Sequence, residues 1–290
     1  MTIKDWLKTA KKSIDALDAE LILLNVKKYS DRSELLLREN SKLTETEEKA
    51  AKNLLSRRKN GEPLAYILGY REFYGRKFFI DRNVLIPRPE TEVIVDFVTC
   101  ECEKNPEDWQ IFDIGTGSGC IGVSLFLELS KKNKVNVVCS DISNQALEVA
   151  EKNYTRLRSG SLANSLSHIS FVKSDLTESL EMDLNKSTII VANLPYVSRE
   201  WNWLDKEALS YEPQIALFAK QNGLELIYKL ISQIKEKIDT RSNLNARLIL
   251  VLEMDKSQQN EIIEYGRQFG YDTEKISDYV LKIEFVKHQR

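Results

Sequence analysis

At 290 residues the chain is long for one domain, and a main domain of roughly 150 to 200 residues with a smaller one beside it is the expected division. Its 42 basic and 44 acidic residues leave a net charge of −2, which excludes the strong basic excess of a general nucleic-acid binder, though not a local patch. The cysteines at 100, 102, 120 and 139 have neither CxxC spacing nor a neighbouring histidine, so a zinc site or disulfide framework is not expected, and His168 and His288 are too few to favour histidine-based hydrolysis.

The opening MTIKDWLKTAKKS has no signal-peptide core and no later run approaches a membrane span, so a soluble, cytoplasmic protein is expected. Residues 1 to about 60 read as helices only. Leu17, Leu21 and Leu24 mark one apolar face, and Thr44 and Glu47 stand at capping-box spacing before Ala50, Ala51, Leu54 and Leu55. Such a bundle either packs on the rest of the chain or recognises a partner.

Glu62 to Leu85 changes character. Glycines at 61, 69 and 75, Pro63 and a run of aromatics predict a hairpin that turns near Gly75 and bridges the domains. In Ile86 to Glu92 two prolines hold an extended elbow that ends at a helix start carrying two carboxylates. A plain linker explains the prolines but not the crowd of Arg88, Glu90 and Glu92. From Trp109 strands and helices alternate. Strands are predicted at Ile111 to Ile114, Val135 to Cys139, Ile169 to Val172, Ile189 to Ala192 and Leu248 to Leu252. Helices are predicted at Cys120 to Ser130, from Ser143 through Asn153, and along Leu224 to Ile238, with a terminal hairpin around Glu274 to Ile276 and Val280 to Val286. The polar stretch Arg158 to Ser167 reads as a surface loop, and the whole as a doubly wound α/β sheet.

Asp113-Ile114-Gly115-Thr116-Gly117-Ser118-Gly119 lies at a strand-to-helix junction, where alternate glycines let the backbone turn tightly against a ligand. Gly117, Gly119 and Gly122 also satisfy the dinucleotide pattern GxGxxG, with Asp141 near the place of its ribose-binding acid. Two features weigh against a dinucleotide. The first glycine after the strand is Gly115, two residues early, and Asp113 would repel a pyrophosphate yet could hold an ammonium group. A cofactor with an amino-acid end and no phosphate fits better, which means S-adenosylmethionine. Asp141 ends the second strand, where its oxygens can accept both ribose hydroxyls while Ser143 caps the next helix. Asp175 either accepts from the adenine amine, with Leu176 over the ring, or merely caps a helix start.

Ile189 to Ala192 reads as a strand buried on both faces, and it stops at Asn193-Leu194-Pro195-Tyr196. The side-chain oxygen of Asn193 and the carbonyl of Leu194 could each accept one hydrogen of an amide or exocyclic amine, while Tyr196 stacks on the flat group. A bare turn would account for Asn193 and Pro195 but not for the tetrad after a buried strand downstream of a glycine turn.

GEPLAYILGYREFYG, LIPRPETE at 85 to 92, DIGTGSGCI, Asp141 and VANLPYV together resemble the glutamine N5-methyltransferases of peptide-chain release factors, the HemK/PrmC type, over nearly the whole chain. The elbow is the most specific part, since general methyltransferases lack it. The resemblance implies a Rossmann-like class I methyltransferase sheet over residues 86–290, joined by a β-hairpin at 62–85 to an all-helical substrate-recognition domain at 1–61. It further implies S-adenosylmethionine as cofactor, no metal, and class I release factors as protein substrates of a monomer with no stable nucleic acid and no membrane. The substrate glutamine, from a Gly-Gly-Gln loop, would enter beside Asn193.

Where that family has Asn-Pro-Pro-Tyr, Leu194 replaces the first proline, and Asn-Leu-Pro-Tyr resembles the rRNA adenine dimethyltransferases. The contact asked of residue 194 is a backbone carbonyl, so the glutamine reading is kept. Glu253-Met254-Asp255 departs from the glycine that the family tends to have there. The rival readings are an adenine N6-methyltransferase on RNA or DNA, a nicotinamide-dependent oxidoreductase, and a cofactor-binding protein without turnover.

Overall fold

Each of the first four helices begins where a short oxygen-bearing side chain takes up a free backbone N–H. Thr2 caps α1 (Ile3–Ala10), Asp15 caps α2 (Ala16–Lys27), Asp31 caps α3 (Arg32–Leu37) and Thr44 caps α4 (Glu45–Lys59). The expected capping box forms at Thr44, whose N–H donates to Glu47 Oε2 at 2.8 Å while Glu47 N–H donates to Thr44 Oγ1 at 3.2 Å. Ile3, Trp6, Ala19, Ile22, Leu23 and Ala51 form the core of this bundle. Of the face expected on α2, Leu24 is buried and Leu21 packs partly buried against the core, whereas Leu17 is 46% exposed; Ala19, Ile22 and Leu23 complete the inward stripe.

A fifth helix, α5 (Leu64–Leu68), takes the first part of the stretch expected to be hairpin; Pro63 precedes it and Gly69, at φ 76°, ends it. The hairpin is confined to β1 (Tyr70–Phe73) and β2 (Arg76–Phe79) and turns at Tyr74 and Gly75, both with positive φ. The computed structural model describes the chain except residues 107, 133, 160–165, 203, 205–208, 241–245 and 286–290. Most of the stretch expected as a surface loop, and Val286 of the expected terminal strand, lie outside the described residues. Two compact units result, Met1–Tyr70 with Asp205–Tyr211, and Arg71–Leu204 with Glu212–Arg290.

In the second unit Pro89–Thr91 forms a 3-10 turn that leads into α6 (Glu92–Lys104). Then come β3 (Trp109–Ile114), α7 (Cys120–Leu129), β4 (Val135–Asp141), α8 (Asn144–Leu157), β5 (His168–Lys173) and β6 (Thr188–Ala192). The chain continues through α9 (Glu225–Asp239), β7 (Leu248–Glu253), α10 (Gln259–Gln268), β8 (Asp272–Lys275) and β9 (Val280–Glu284). The seven strands lie in the order β5-β4-β3-β6-β7-β9-β8, with β3 to β7 parallel and the last two antiparallel. This is the expected doubly wound α/β sheet. Alternate residues of each strand feed two cores: Ile111, Val191 and Val251 pack on one face with Ile94, Val98 and Val123 from α6 and α7, and Phe112, Ile190 and Leu250 on the other with Ile227 and Ile262 from α9 and α10.

Candidate functional site

The strand order reverses between β3 and β6, so a crevice opens beyond their carboxyl ends. Ile114 pairs with Ala192, and the glycine turn and the Asn-Leu-Pro-Tyr tip therefore leave the sheet side by side. Gly115 has φ 71°, and a Cβ there would stand 3.1 Å from Leu194 Cδ2, so both backbone conformation and the closeness of the tip call for glycine. A cavity of about 260 Å³ lies against the two turns. Of the residues expected at the site, Gly115, Thr116, Gly117, Ser118, Asp141, Asp175, Leu176, Asn193, Leu194 and Pro195 line it, and Asp113, Gly119 and Tyr196 do not.

Asp113 is turned away from the cavity. Its Oδ2 accepts from Thr116 Oγ1 at 2.6 Å and from Gly122 N–H at 2.9 Å, and its Oδ1 is buried without a hydrogen-bond partner among the described residues. Burial pushes this carboxyl up to about 6, against the pull of those two donors. A direct contact with an ammonium group is thus not what the geometry provides; Asp113 holds the turn from beneath. Cys120 and Cys139 are buried free thiols beside it, and burial raises both.

Asp141 ends β4 at the cavity wall, where Oδ2 accepts from Gly117 N–H and Oδ1 from Ser143 N–H, both at 2.9 Å. Burial raises its pKa, with those N–H groups opposing. Each oxygen keeps a second lone pair. Asp175 accepts from Lys229 Nζ at 2.6 Å, a partner that sequence reading did not foresee, and both residues line the cavity. Leu176 beside it has φ 52°, a strained backbone for a leucine of the kind that gathers at ligand sites. Ile142, half exposed, and Leu176 give this end of the cavity apolar walls. S-adenosylmethionine fits this set: acceptor lone pairs on Asp141 for a diol, flat apolar walls for a base, and backbone approach unhindered by a side chain at Gly115 and Gly117.

At the tip, Asn193 Nδ2 donates to Thr91 Oγ1 at 3.2 Å, which leaves Oδ1 as the amide's acceptor end. Leu194 is buried, and Tyr196 lies behind the cavity wall, its hydroxyl donating to Glu253 Oε1 at 3.3 Å. Burial pushes Glu253 up to about 7, while Thr91, Tyr196 and Asn193 oppose the rise by hydrogen bonding and Glu90 adds to it by charge. Burial also raises the Tyr196 phenol, with Glu253 adding to the rise. The backbone after Pro195 is fixed by Gln258, buried, whose Nε2 donates to the carbonyls of Tyr196 at 2.8 Å and Asn222 at 2.7 Å. Gly223 packs against the same spot, since a Cβ there would lie 1.9 Å from the Tyr196 carbonyl oxygen.

The elbow reaches this cavity too: Pro87, Arg88 and Thr91 line it. Glu212, buried, accepts from Arg88 Nη2 at 2.6 Å and from Ile86 N–H at 3.0 Å, which accounts for the arginine that a linker could not. Thr91, Glu212, Lys229, Glu253 and Gln258 all escaped sequence reading. Only Glu253 carried a local signal, a charge closing an apolar strand. Among the described residues no helix is long and apolar enough to cross a membrane.

Residues 2–69 match the PrmC N-terminal domain family and residues 95–204 the methyltransferase small domain family. A release factor glutamine methyltransferase of Neisseria gonorrhoeae is 38% identical over 238 residues, covering 82% of this chain and 81% of that protein. Another protein of that name, from Leptospira interrogans, is 36% identical over 81% of this chain and 79% of its own length. A bifunctional methyltransferase of Rickettsia typhi is 33% identical over 91% of this chain, which spans 51% of that longer protein. Among solved structures the hMettl16 catalytic domain in complex with an RNA hairpin from the MAT2A 3'UTR shares the fold, at a TM-score of 0.53 and 18% identity over 82% of this chain and 83% of that one. The chain belongs to the release factor glutamine methyltransferase family and is an S-adenosylmethionine-dependent methyltransferase.

Proposed function

We propose that the protein methylates the side-chain amide nitrogen (N5) of the glutamine in the Gly-Gly-Gln motif of class I peptide-chain release factors, acting as a monomer in the cytoplasm. The observation that carries this is the orientation of Asn193: with Nδ2 committed to Thr91, its Oδ1 is the acceptor beside a cavity shared with the glycine turn. An amide nitrogen is a poor nucleophile because its lone pair is delocalised. Asn193 Oδ1 and the Leu194 carbonyl each accept one of its hydrogens, aim the lone pair and favour the positive charge that develops on nitrogen. S-adenosylmethionine, when bound, supplies an electrophilic methyl on a sulfonium. The nitrogen–carbon bond forms as the sulfur–carbon bond breaks, and the nitrogen then sheds one proton to water. No basic side chain is needed, so the protein's contribution is positioning, a term worth up to about 7 to 11 kcal/mol.

In this reading Asp141 accepts from the ribose hydroxyls and Asp175 from the adenine amine, with Leu176 against the ring. Gly115 to Gly119 give the amino-acid end a close backbone approach, and Asp113 acts on it through the turn it holds. Pro195 flanks the entering glutamine, and Tyr196 backs the tip from behind the cavity wall. Residues 1–61 recognise the release factor, 62–85 form the link and 86–290 carry the chemistry.

The test is incubation with a purified release factor and, in parallel, with bulk RNA, each with isotopically labelled cofactor, read by peptide and nucleoside mass. One methyl on the Gly-Gly-Gln glutamine and none on RNA is the expected result. A methylated adenine and an untouched release factor would sink the proposal in favour of the adenine reading. A release factor carrying glutamate at that position should stay unmodified, because a carboxylate offers the waiting acceptors no N–H.

A further inference from the structure

The register of the sheet brings a buried acid behind the tip. Ala192 pairs with Leu252, and both pack on the core that includes α9 and α10. Side chains alternate along a strand, so the next two residues, Asn193 and Glu253, turn toward the opposite face, where α6 packs. Thr91 stands at the N-terminus of that helix. Glu253 is 2% exposed, and its Oε2 is buried with no hydrogen-bond partner among the described residues. The strongest influences on it are burial, Thr91, Tyr196, Glu90 and Asn193, with no cation among them. A carboxyl buried on these terms costs stability, so packing does not account for it.

Its chemistry accounts for it better. A carboxylate only accepts, and it therefore gives direction to the chain of hydroxyls and amide in front of it. Thr91 Oγ1 accepts from Asn193 Nδ2, and the threonine hydroxyl and the asparagine NH₂ both face the Glu253 carboxyl. Without an acceptor behind it, the threonine hydroxyl can turn and donate to Asn193 Oδ1. The asparagine amide would then present its NH₂ to the cavity, donor against donor for an incoming amide.

We propose that Glu253 is a positioning residue for methyl transfer, acting on the Thr91–Asn193 pair in front of it to hold the Asn193 amide with its oxygen toward the cavity. This rests on the role given to Asn193 above. The experiment uses the full-length chain, a purified release factor and labelled S-adenosylmethionine, with kcat measured at saturation and cofactor affinity by calorimetry. Glu253→Gln, which keeps shape but blurs direction, and Thr91→Val, which removes the relay, should each lower kcat by about tenfold or more. Cofactor affinity should stay within about threefold, and Thr91→Ser should return kcat to within about threefold of the unmodified enzyme. Combining the two damaging substitutions should cost little beyond either alone, because they break one chain. Thr91→Val also decides the matter should Glu253→Gln fail to fold. An unmodified enzyme that methylates the release factor while both variants keep pace overturns the positioning role alone, as does a loss of kcat matched by a loss of cofactor affinity. An unmodified enzyme that leaves the release factor untouched overturns the glutamine reading and this role with it.

Discussion

Asp113 at the end of β3 and Glu253 at the end of β7 are 1% and 2% exposed, and burial pushes their carboxyls up to about 6 and about 7. Their surroundings differ. Asp113 takes its donors from 3 and 9 residues along its own chain segment, which holds the turn within one segment although Oδ1, like Glu253 Oε2, has no partner among the described residues. Glu253 meets Tyr196, Thr91 and Asn193, brought from two other segments, and the hydrogen bond it accepts from Tyr196 is long, at 3.3 Å. One acid serves as mortar for the loop it begins, and the other underlies a loop that belongs to a different strand. The first arrangement is local and keeps the shape of the glycine turn, whereas the second gathers groups from segments far apart in the chain.

The contrast is tested most severely by Asn193→Ala, which removes the group that the second acid is held to serve. Release-factor methylation should fall by about 10²- to 10³-fold while calorimetry finds cofactor binding unchanged; full turnover would leave Glu253 with nothing to orient. Next is the pH dependence of stability. The Glu253 carboxyl rises from its ordinary 4.5 to about 7 on folding, so between those values the folded protein binds more protons than the unfolded chain. Its contribution is present below 4.5 and is lost as pH climbs through about 7, on the order of 3 kcal/mol in all. Denaturant melts at pH 5 and pH 8 should therefore differ less for Glu253→Gln than for the unmodified protein, and equal differences would count against the buried charge. Asp113→Ala should lower stability by about 1 to 3 kcal/mol at pH 5, because the buried Gly122 N–H loses its acceptor, and by less at pH 8, where the same burial sets the ionised carboxyl at a disadvantage. The smallest expected effect comes from Asp141→Ala, a strand-end acid that faces the cavity: cofactor affinity should drop by about tenfold, one charged hydrogen bond's worth, and an unaltered isotherm would remove it from the binding site.

The fold was legible because apolar runs of strand length alternate with helical stripes, and the register that sets the glycine turn beside the tip comes from the sheet order such alternation implies. Helix α10 was not foreseen: Gln259–Gln268 is mostly polar, buries Ile262 as its single large apolar side chain, and contains Gly266. Helix α5 is a five-residue apolar run, which periodicity cannot tell from a strand, although Pro63 and Gly69 bracket it as helix ends. In the site, the residues that act through their own backbone or at a strand end could be picked out by position. Thr91 could not, since its partner Asn193 is 102 residues away and nothing near either one announces the other. The same holds for Lys229 on Asp175, 54 residues apart. Local chemistry writes a signature into neighbouring letters, and tertiary pairing does not.

Gln258 grips the chain at Tyr196 and again at Asn222, and Gly223 lies flush against the first of these points. One side chain therefore ties the chain just after the tip to the stretch just before helix α9, and a change at Gln258 would slacken both at once. A search for second-site suppressors of a damaged tip would look first at Asn222 and Gly223, distant from it in sequence and adjoining it in space.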